Sequence, residues 1–230
     1  MPDEILRNYA ATQTAIETAG NTAQRPKGAI QLVVVSKTQG VEKIEPLLRA
    51  GHRVFGENRV QEAIAKWPVL KQNYPDIQLH LIGPLQSNKA AEAVALFDVI
   101  ETVDRDKLAA ALAAEMAKQG RAPKLLVQVN TGREQQKAGI APEQLRDFLD
   151  RVKTLHGLPV HGLMCIPPVN DSPAKHFSIL AELAKTSGLA LLSMGMSSDY
   201  REAVACGATH VRVGSAIFGE RPTTAPGTAK

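Results

Sequence analysis

The sequence predicts an α/β fold in which eight parallel strands, alternating with helices, close into a single barrel. Three observations point there. Short apolar runs alternate with amphipathic stretches from one end of the chain to the other. The clearest run, Leu32-Val33-Val34-Val35, lacks in–out alternation, as a strand covered on both faces requires. The runs number eight, the count that closes as a (β/α) barrel, and 230 residues match the lower range for one such barrel. An open doubly wound sheet is the other arrangement compatible with this alternation.

In chain order, a helix over residues 3–19 precedes the first strand. Strands are expected at 32–36, 53–55, 78–82, 98–101, 124–130, 161–166, 190–194 and 210–213. Between them fall helices at 41–50, 59–70, 88–96, 105–118, 142–155, 172–187 and 198–206. Pro142 followed by Glu143 suits a first helical turn, and Asp171 or Ser172 can cap the next helix. Gly120, Gly188 and Gly207 suit left-handed caps at helix ends. No internal repeat is visible, and the barrel uses nearly every residue. Residues 1–222 therefore read as one domain and 223–230 as a disordered tail.

Composition narrows the function. Hydrophobic content of 44% and charged content of 22% are ordinary for a globular protein. The net charge of +4 is spread along the chain, and only 4% of residues are aromatic. No basic, aromatic-interleaved surface argues for nucleic acid, so a small anion is the better match for a few placed cations. Cys165 and Cys206 have no metal-ligand spacing and fit reduced thiols. The first twenty residues carry Asp3, Glu4, Arg7 and Glu17 without the apolar core of a signal peptide, and no apolar run approaches membrane-spanning length. The expected location is the cytoplasm.

Candidate chemistry sits at the strand ends, where barrels of this kind carry their functional residues. Lys37 ends the first apolar run. Desolvation there would favour a free, nucleophilic amine able to form a Schiff base with a carbonyl compound; the plainer reading is a lysine snorkelling to water. After the seventh and eighth strands come Gly195-Met196-Ser197-Ser198 and Gly214-Ser215, the pair of loops that often builds a phosphate site in barrels. Either Ser197 or Ser198 could instead only cap a helix. Val211 and Val213 share one face of the last strand, which turns Arg212 inward. Arg212 then needs a partner: Glu57 or Asp199 in an ion pair, or a cofactor ring nitrogen.

Gly56-Glu57-Asn58 and Ser87-Asn88 are expected in the loops after strands two and three, where Asn58, Ser87 and Asn88 could each cap a helix. His80 and His161 read as structural, and Lys89 and Lys137 as solvated. No metal-ligating cluster and no Ser-His-Asp arrangement is legible. A nucleophilic lysine, a phosphate cradle and an arginine on one rim describe a pyridoxal 5′-phosphate site. An arginine at the ring nitrogen disfavours its protonation and weakens the cofactor as an electron sink.

At these residues the chain resembles the pyridoxal phosphate homeostasis protein family, single-domain relatives of the alanine racemase barrel. The segments that carry the resemblance are VVVSKT at 33–38, FGEN at 55–58, HLIGPLQSNK at 80–89, QVN at 128–130, KAGI at 137–140, HGLMCIP at 161–167, LSMGMSSD at 192–199 and VRVGSAIFGER at 211–221. The resemblance implies a TIM barrel of the alanine racemase type (fold type III of pyridoxal phosphate proteins) with an extra N-terminal helix. It implies that Lys37 is the cofactor lysine, that Ser197, Ser198, Gly214 and Ser215 form the phosphate loops, that Asn58 lines the pocket, and that Arg212 faces the pyridine nitrogen. Arg59 stands where the family often has tyrosine, and residues 133–136 depart from its usual Asn/Ser-rich loop.

The implied role is a non-catalytic, monomeric carrier that limits free pyridoxal phosphate and can pass it to apo-enzymes. Two alternatives share the barrel. An amino-acid racemase needs an acid/base on each side of the substrate α-carbon. In related racemases a tyrosine from a second domain of the partner subunit supplies one of these. Here Tyr9, Tyr74 and Tyr200 are the only tyrosines, and Tyr9 and Tyr74 are expected far from the site. A Schiff-base aldolase acting on a sugar phosphate would use the same lysine and phosphate loop.

Overall fold

Residues 32–35 are buried without exception, so strand β1 (Gln31–Val35) is covered on both faces. The computed structural model describes residues 2–219, and the expected tail at 223–230 lies outside the described residues. Helix α1 (Pro2–Thr22) precedes β1. There follow α2 (Val41–Arg49), β2 (Val54–Glu57), α3 (Val60–Asn73), β3 (Gln78–Leu81), α4 (Ala90–Leu96), β4 (Val99–Val103), α5 (Asp106–Gln119) and β5 (Lys124–Gln128). The second half contains α6 (Leu145–Thr154), β6 (Val160–Met164), α7 (Pro173–Thr186), β7 (Leu191–Ser193), α8 (Tyr200–Ala205), β8 (His210–Val213) and the single turn α9 (Ser215–Phe218). Each strand pairs in parallel with its neighbours, and β8 returns to pair with β1. The closed barrel is therefore the arrangement adopted, not the open sheet.

The strand pleat sorts side chains by parity. Leu32, Val34, Phe55, Leu79, Leu81, Ile100, Leu125, Val127, Leu163, Leu192, Val211 and Val213 pack with the helices in the main apolar core. Alternate positions point into the barrel: Val99, Leu126 and Met164, with Leu191 against them, form a separate small apolar cluster there. Buried polar side chains on the same inward parity sit beside this cluster: His80, Glu101, Ser193 and Arg212.

Several elements differ from expectation. Strand β2 runs on through Gly56 and Glu57, which therefore belong to the strand and not to the loop after it. Strand β5 stops at Gln128, and Val129 makes only an isolated bridge to Ile140. The helix expected at 142–155 begins as a 3₁₀ turn, Pro142–Gln144, and Ser87–Lys89 forms another ahead of α4. Ser87 and Asn88 lie inside that turn, so neither caps it. Ser172 occupies the N-cap of α7, but its side chain makes no capping bond; Asp171 accepts from the Ser172 N–H at 2.8 Å instead. Gly120, Gly188 and Gly207 take positive φ (62°, 66° and 100°) as expected, conformations that a Cβ would strain.

Gly83 needs its missing side chain for a different reason. A Cβ there would lie 2.2 Å from the Asn58 carbonyl oxygen, and the Gly83 carbonyl is itself fixed by the buried Thr102 hydroxyl at 2.9 Å. Gly83→Ala is expected to cost about 1–3 kcal/mol, read as a melting temperature several degrees lower; an unchanged melt would contradict this packing.

Acid should weaken the fold for a definable reason. Burial pushes the His52 and His210 imidazoles down to about 4 each, from an ordinary value of 6.5. His52 is neutral, with Nε2–H donating to Val54 O at 2.7 Å and Nδ1 3.1 Å from the Tyr9 hydroxyl. The unfolded chain takes up protons below pH 6.5 that the folded chain refuses until about pH 4, so stability falls as pH drops through that window. Each histidine contributes up to about 3 kcal/mol to this loss. Urea midpoints measured from pH 7 to 4.5 should decline, and His52→Asn should flatten the decline; an equal slope in the variant would refute the assignment.

Candidate functional site

A cleft of about 380 Å³ opens at the carboxyl ends of the strands. Lys37, Asn58, Ser197, Ser198, Arg212, Gly214 and Ser215 all line it, together with Val35, Thr38, Gln39, Ile82, Ile166, Met196, Phe218 and Gly219. A roomier groove of about 1000 Å³ runs between α6 and α7, bordered by Leu149, Lys153 and Leu183, but it gathers none of the residues singled out above.

Each residue reaches the cleft for a local reason. Lys37 lies just beyond β1, with Ser36 between, and is half-buried, between the apolar strand and the opening. Asn58 follows β2 and does not cap α3, whose N-cap is Arg59 without a side-chain capping bond. The turn after β7 bends at Gly195, with φ 91°, where a Cβ would lie 2.5 Å from the Ala203 Cβ. That tight turn brings Ser197 against the end of β8, and its hydroxyl accepts from the backbone N–H groups of Gly214 (3.3 Å) and Ala216 (3.4 Å). Ser197 thus bridges the two loops and does not cap α8, whose N-cap is Asp199. A Cβ on Gly214 would lie 3.1 Å from Val35 O, so glycine lets the β8 loop press against the β1 end.

Arg212 is 3% exposed, and its surroundings decide which way it points. Nη1 donates to Ser193 Oγ at 2.7 Å and Nη2 to Cys165 O at 2.8 Å. Ser193 donates on to Glu101 Oε2 at 2.5 Å, and Glu101 Oε1 accepts from His80 Nδ1 at 2.7 Å. Burial alone would raise the Glu101 carboxyl, but the His80 hydrogen bond and the nearby Arg212 charge outweigh it and hold it below its ordinary value. Neither proposed ion-pair partner serves Arg212. Glu57 shares the outward parity of Phe55, on the other side of the sheet, and Asp199 accepts from the Met196 N–H at 2.6 Å. The Cys165 thiol is pushed up to about 12 by burial, which removes it as a nucleophile.

Other expectations resolve as follows. His80 is a satisfied interior histidine, and His161 Nδ1 accepts from the Leu125 N–H at 3.4 Å. Lys137 is not simply solvated: its Nζ lies 2.6 Å from Glu134 and donates to Pro167 O at 3.2 Å. Lys89 pairs with Glu92 at 3.0 Å. Sequence reasoning missed the parts behind the cleft wall, Glu101 with Ser193 on the inside and Glu57 with Lys66 on the outside. A carboxylate in a buried strand was the available signal, since it demands a nearby donor.

The alanine racemase N-terminal domain family matches residues 8–222. The pyridoxal phosphate homeostasis protein of Vibrio cholerae is 41% identical over 94% of this chain and 96% of its own length. That of Pseudomonas aeruginosa is 40% identical over 96% and 98%. Among solved structures, PipY of Synechococcus elongatus with PLP bound is 40% identical and superposes with a TM-score of 0.78, over 94% of this chain and all of that one. Alanine racemase of Clostridium difficile, at 15% identity and a TM-score of 0.72, shares the fold, and the match takes in 58% of its chain. By sequence identity and near full-length coverage, this chain belongs to the pyridoxal phosphate homeostasis protein family.

Proposed function

We propose that this chain binds pyridoxal 5′-phosphate on Lys37 and acts as a cytoplasmic, monomeric carrier that limits the free aldehyde and delivers it to apo-enzymes, without catalysing a reaction of its own. The observation that carries the reading is that an amine, an inward arginine and two Gly/Ser turns from separate strand ends line one cleft. That donor set fits the cofactor: hydroxyls and backbone N–H groups suit a phosphate, and a permanently charged guanidinium suits a ring nitrogen that stays unprotonated. What pyridoxal phosphate supplies when bound is an aldehyde, which condenses with a primary amine with loss of water. PLP bound to PipY, 40% identical, supports the same ligand here.

The chain's own residues divide the work. Lys37 supplies the amine, Ser197, Ser198, Gly214 and Ser215 hold the phosphate, Asn58 borders the ring, and Arg212 faces its nitrogen. A racemase would need a second acid/base across the substrate, and none of the tyrosines lines the cleft. Tyr9 is tied to His52, Tyr74 stacks under Arg53, and Tyr200 is buried at the start of α8. Few large apolar side chains stand exposed among the described residues, Val69, Leu155 and Val169 the most, which suits a monomer. Unpaired Cys165 and Cys206 suit a reducing compartment.

Purified protein loaded with pyridoxal phosphate should be yellow, bleach with borohydride, and gain the pyridoxyl-phosphate mass on the peptide that contains Lys37. Lys37→Ala should lose both colour and added mass. Retention of the native spectrum by that variant would exclude Lys37, and amino-acid racemisation at about one turnover per second or faster would exclude the carrier role.

A further inference from the structure

We propose that Lys66 is the positioning residue of this site, an ammonium that holds the backbone on both sides of Lys37 so that its amine meets the cleft at a fixed place. The inference rests on the reading that Lys37 is the reactive amine. Lys66 lies on α3, outside the barrel, and its side chain is only 8% exposed. Its Nζ donates to Ser36 O at 3.0 Å and to Gln39 O at 3.2 Å, the carbonyls just before and two residues after Lys37. Two carboxylates anchor the ammonium: Glu57 Oε1 at 2.7 Å and Glu62 Oε1 at 3.1 Å.

Those carboxylates grip the same segment. Glu57, fully buried, accepts from the Ser36 hydroxyl at 2.8 Å and from Trp67 Nε1 at 3.0 Å. Glu62 accepts from the Thr38 N–H at 2.5 Å, where Thr38 takes φ 63°, a conformation that costs a β-branched residue energy unless its surroundings enforce it. Residues 36, 38 and 39 are thus each fastened to one cluster of charged side chains, and residue 37 between them lines the cleft.

A buried ion pair is weak grounds for stability, because a neutral pair of similar volume often serves the fold as well. What a neutral pair cannot do is hold two carbonyls with one ammonium. An amine that attacks an aldehyde needs placement to within a fraction of an ångström, and a misplacement of about 1 Å can cost on the order of a hundredfold.

The test uses the full chain with Lys66→Met and Glu57→Gln together, so that no buried charge is left unpaired. Two ligands are compared: pyridoxal 5′-phosphate, and pyridoxine 5′-phosphate, which has the same ring and phosphate but no aldehyde. The double variant should melt close to wild type and bind pyridoxine phosphate as before. Its affinity for pyridoxal phosphate, and its borohydride-trapped yield at Lys37, should fall about tenfold or more. Unchanged pyridoxal phosphate affinity overturns the proposal, as does an equal loss for both ligands. A variant that fails to fold also overturns it, by assigning the cluster to stability. If wild-type protein is never trapped at Lys37, the reading beneath the proposal fails, and the proposal fails with it.

Discussion

Every strand of a closed parallel barrel is covered on both faces, so each polar side chain it carries must find partners on the side to which the pleat assigns it. The rest of the structure depends on this constraint. On β2 the pleat sends Gly56 inward and Glu57 outward, and Ser36, Lys66 and Trp67 converge on one oxygen of its carboxylate beneath α3, leaving the other oxygen buried without a hydrogen bond. On β8 it sends Arg212 inward, where Ser193, Cys165 O and, one step further, Glu101 receive it. Two charged clusters therefore flank one opening, one inside the barrel and one outside, and the sheet between them keeps them apart.

That separation gives each wall of the cleft its own support. The outer cluster fastens the β1 end, which carries Lys37. The inner cluster fixes Arg212, and the Ser197 hydroxyl ties the β7 and β8 loops together. Neither support draws on the other's residues. A substitution in one wall should leave the other standing, which is why a ligand lacking the aldehyde can report on one wall alone.

How much of this was legible follows from the same constraint. Unbroken apolar runs such as 32–35 announced strands with two covered faces, and the parity of Val211 and Val213 was enough to turn Arg212 inward. Lys37, the Gly/Ser turns and Asn58 could be named because strand ends in a barrel converge. The end of β2 was misplaced because Gly56-Glu57 has the composition of a turn; the strand continues only because buried donors wait for the carboxylate. Lys66 was invisible for a related reason. In a helix that reads VQEAIAKWPVLKQN, a lysine looks solvated until the strand residue beneath it is known to be a buried glutamate.

The direction of the interior hydrogen bonds follows from the chemistry of the groups that make them. The Ser193 hydroxyl has one proton: it accepts from Arg212 and so must donate to Glu101. The ionised Glu101 carboxylate accepts at its other oxygen as well, from the His80 Nδ1–H. Every proton in the row points toward Glu101, away from the mouth, and the one member that lines the cleft is a guanidinium that does not give up its proton. Such a row can orient Arg212 and balance its charge. It supplies no second acid or base of the kind that two-base racemisation requires.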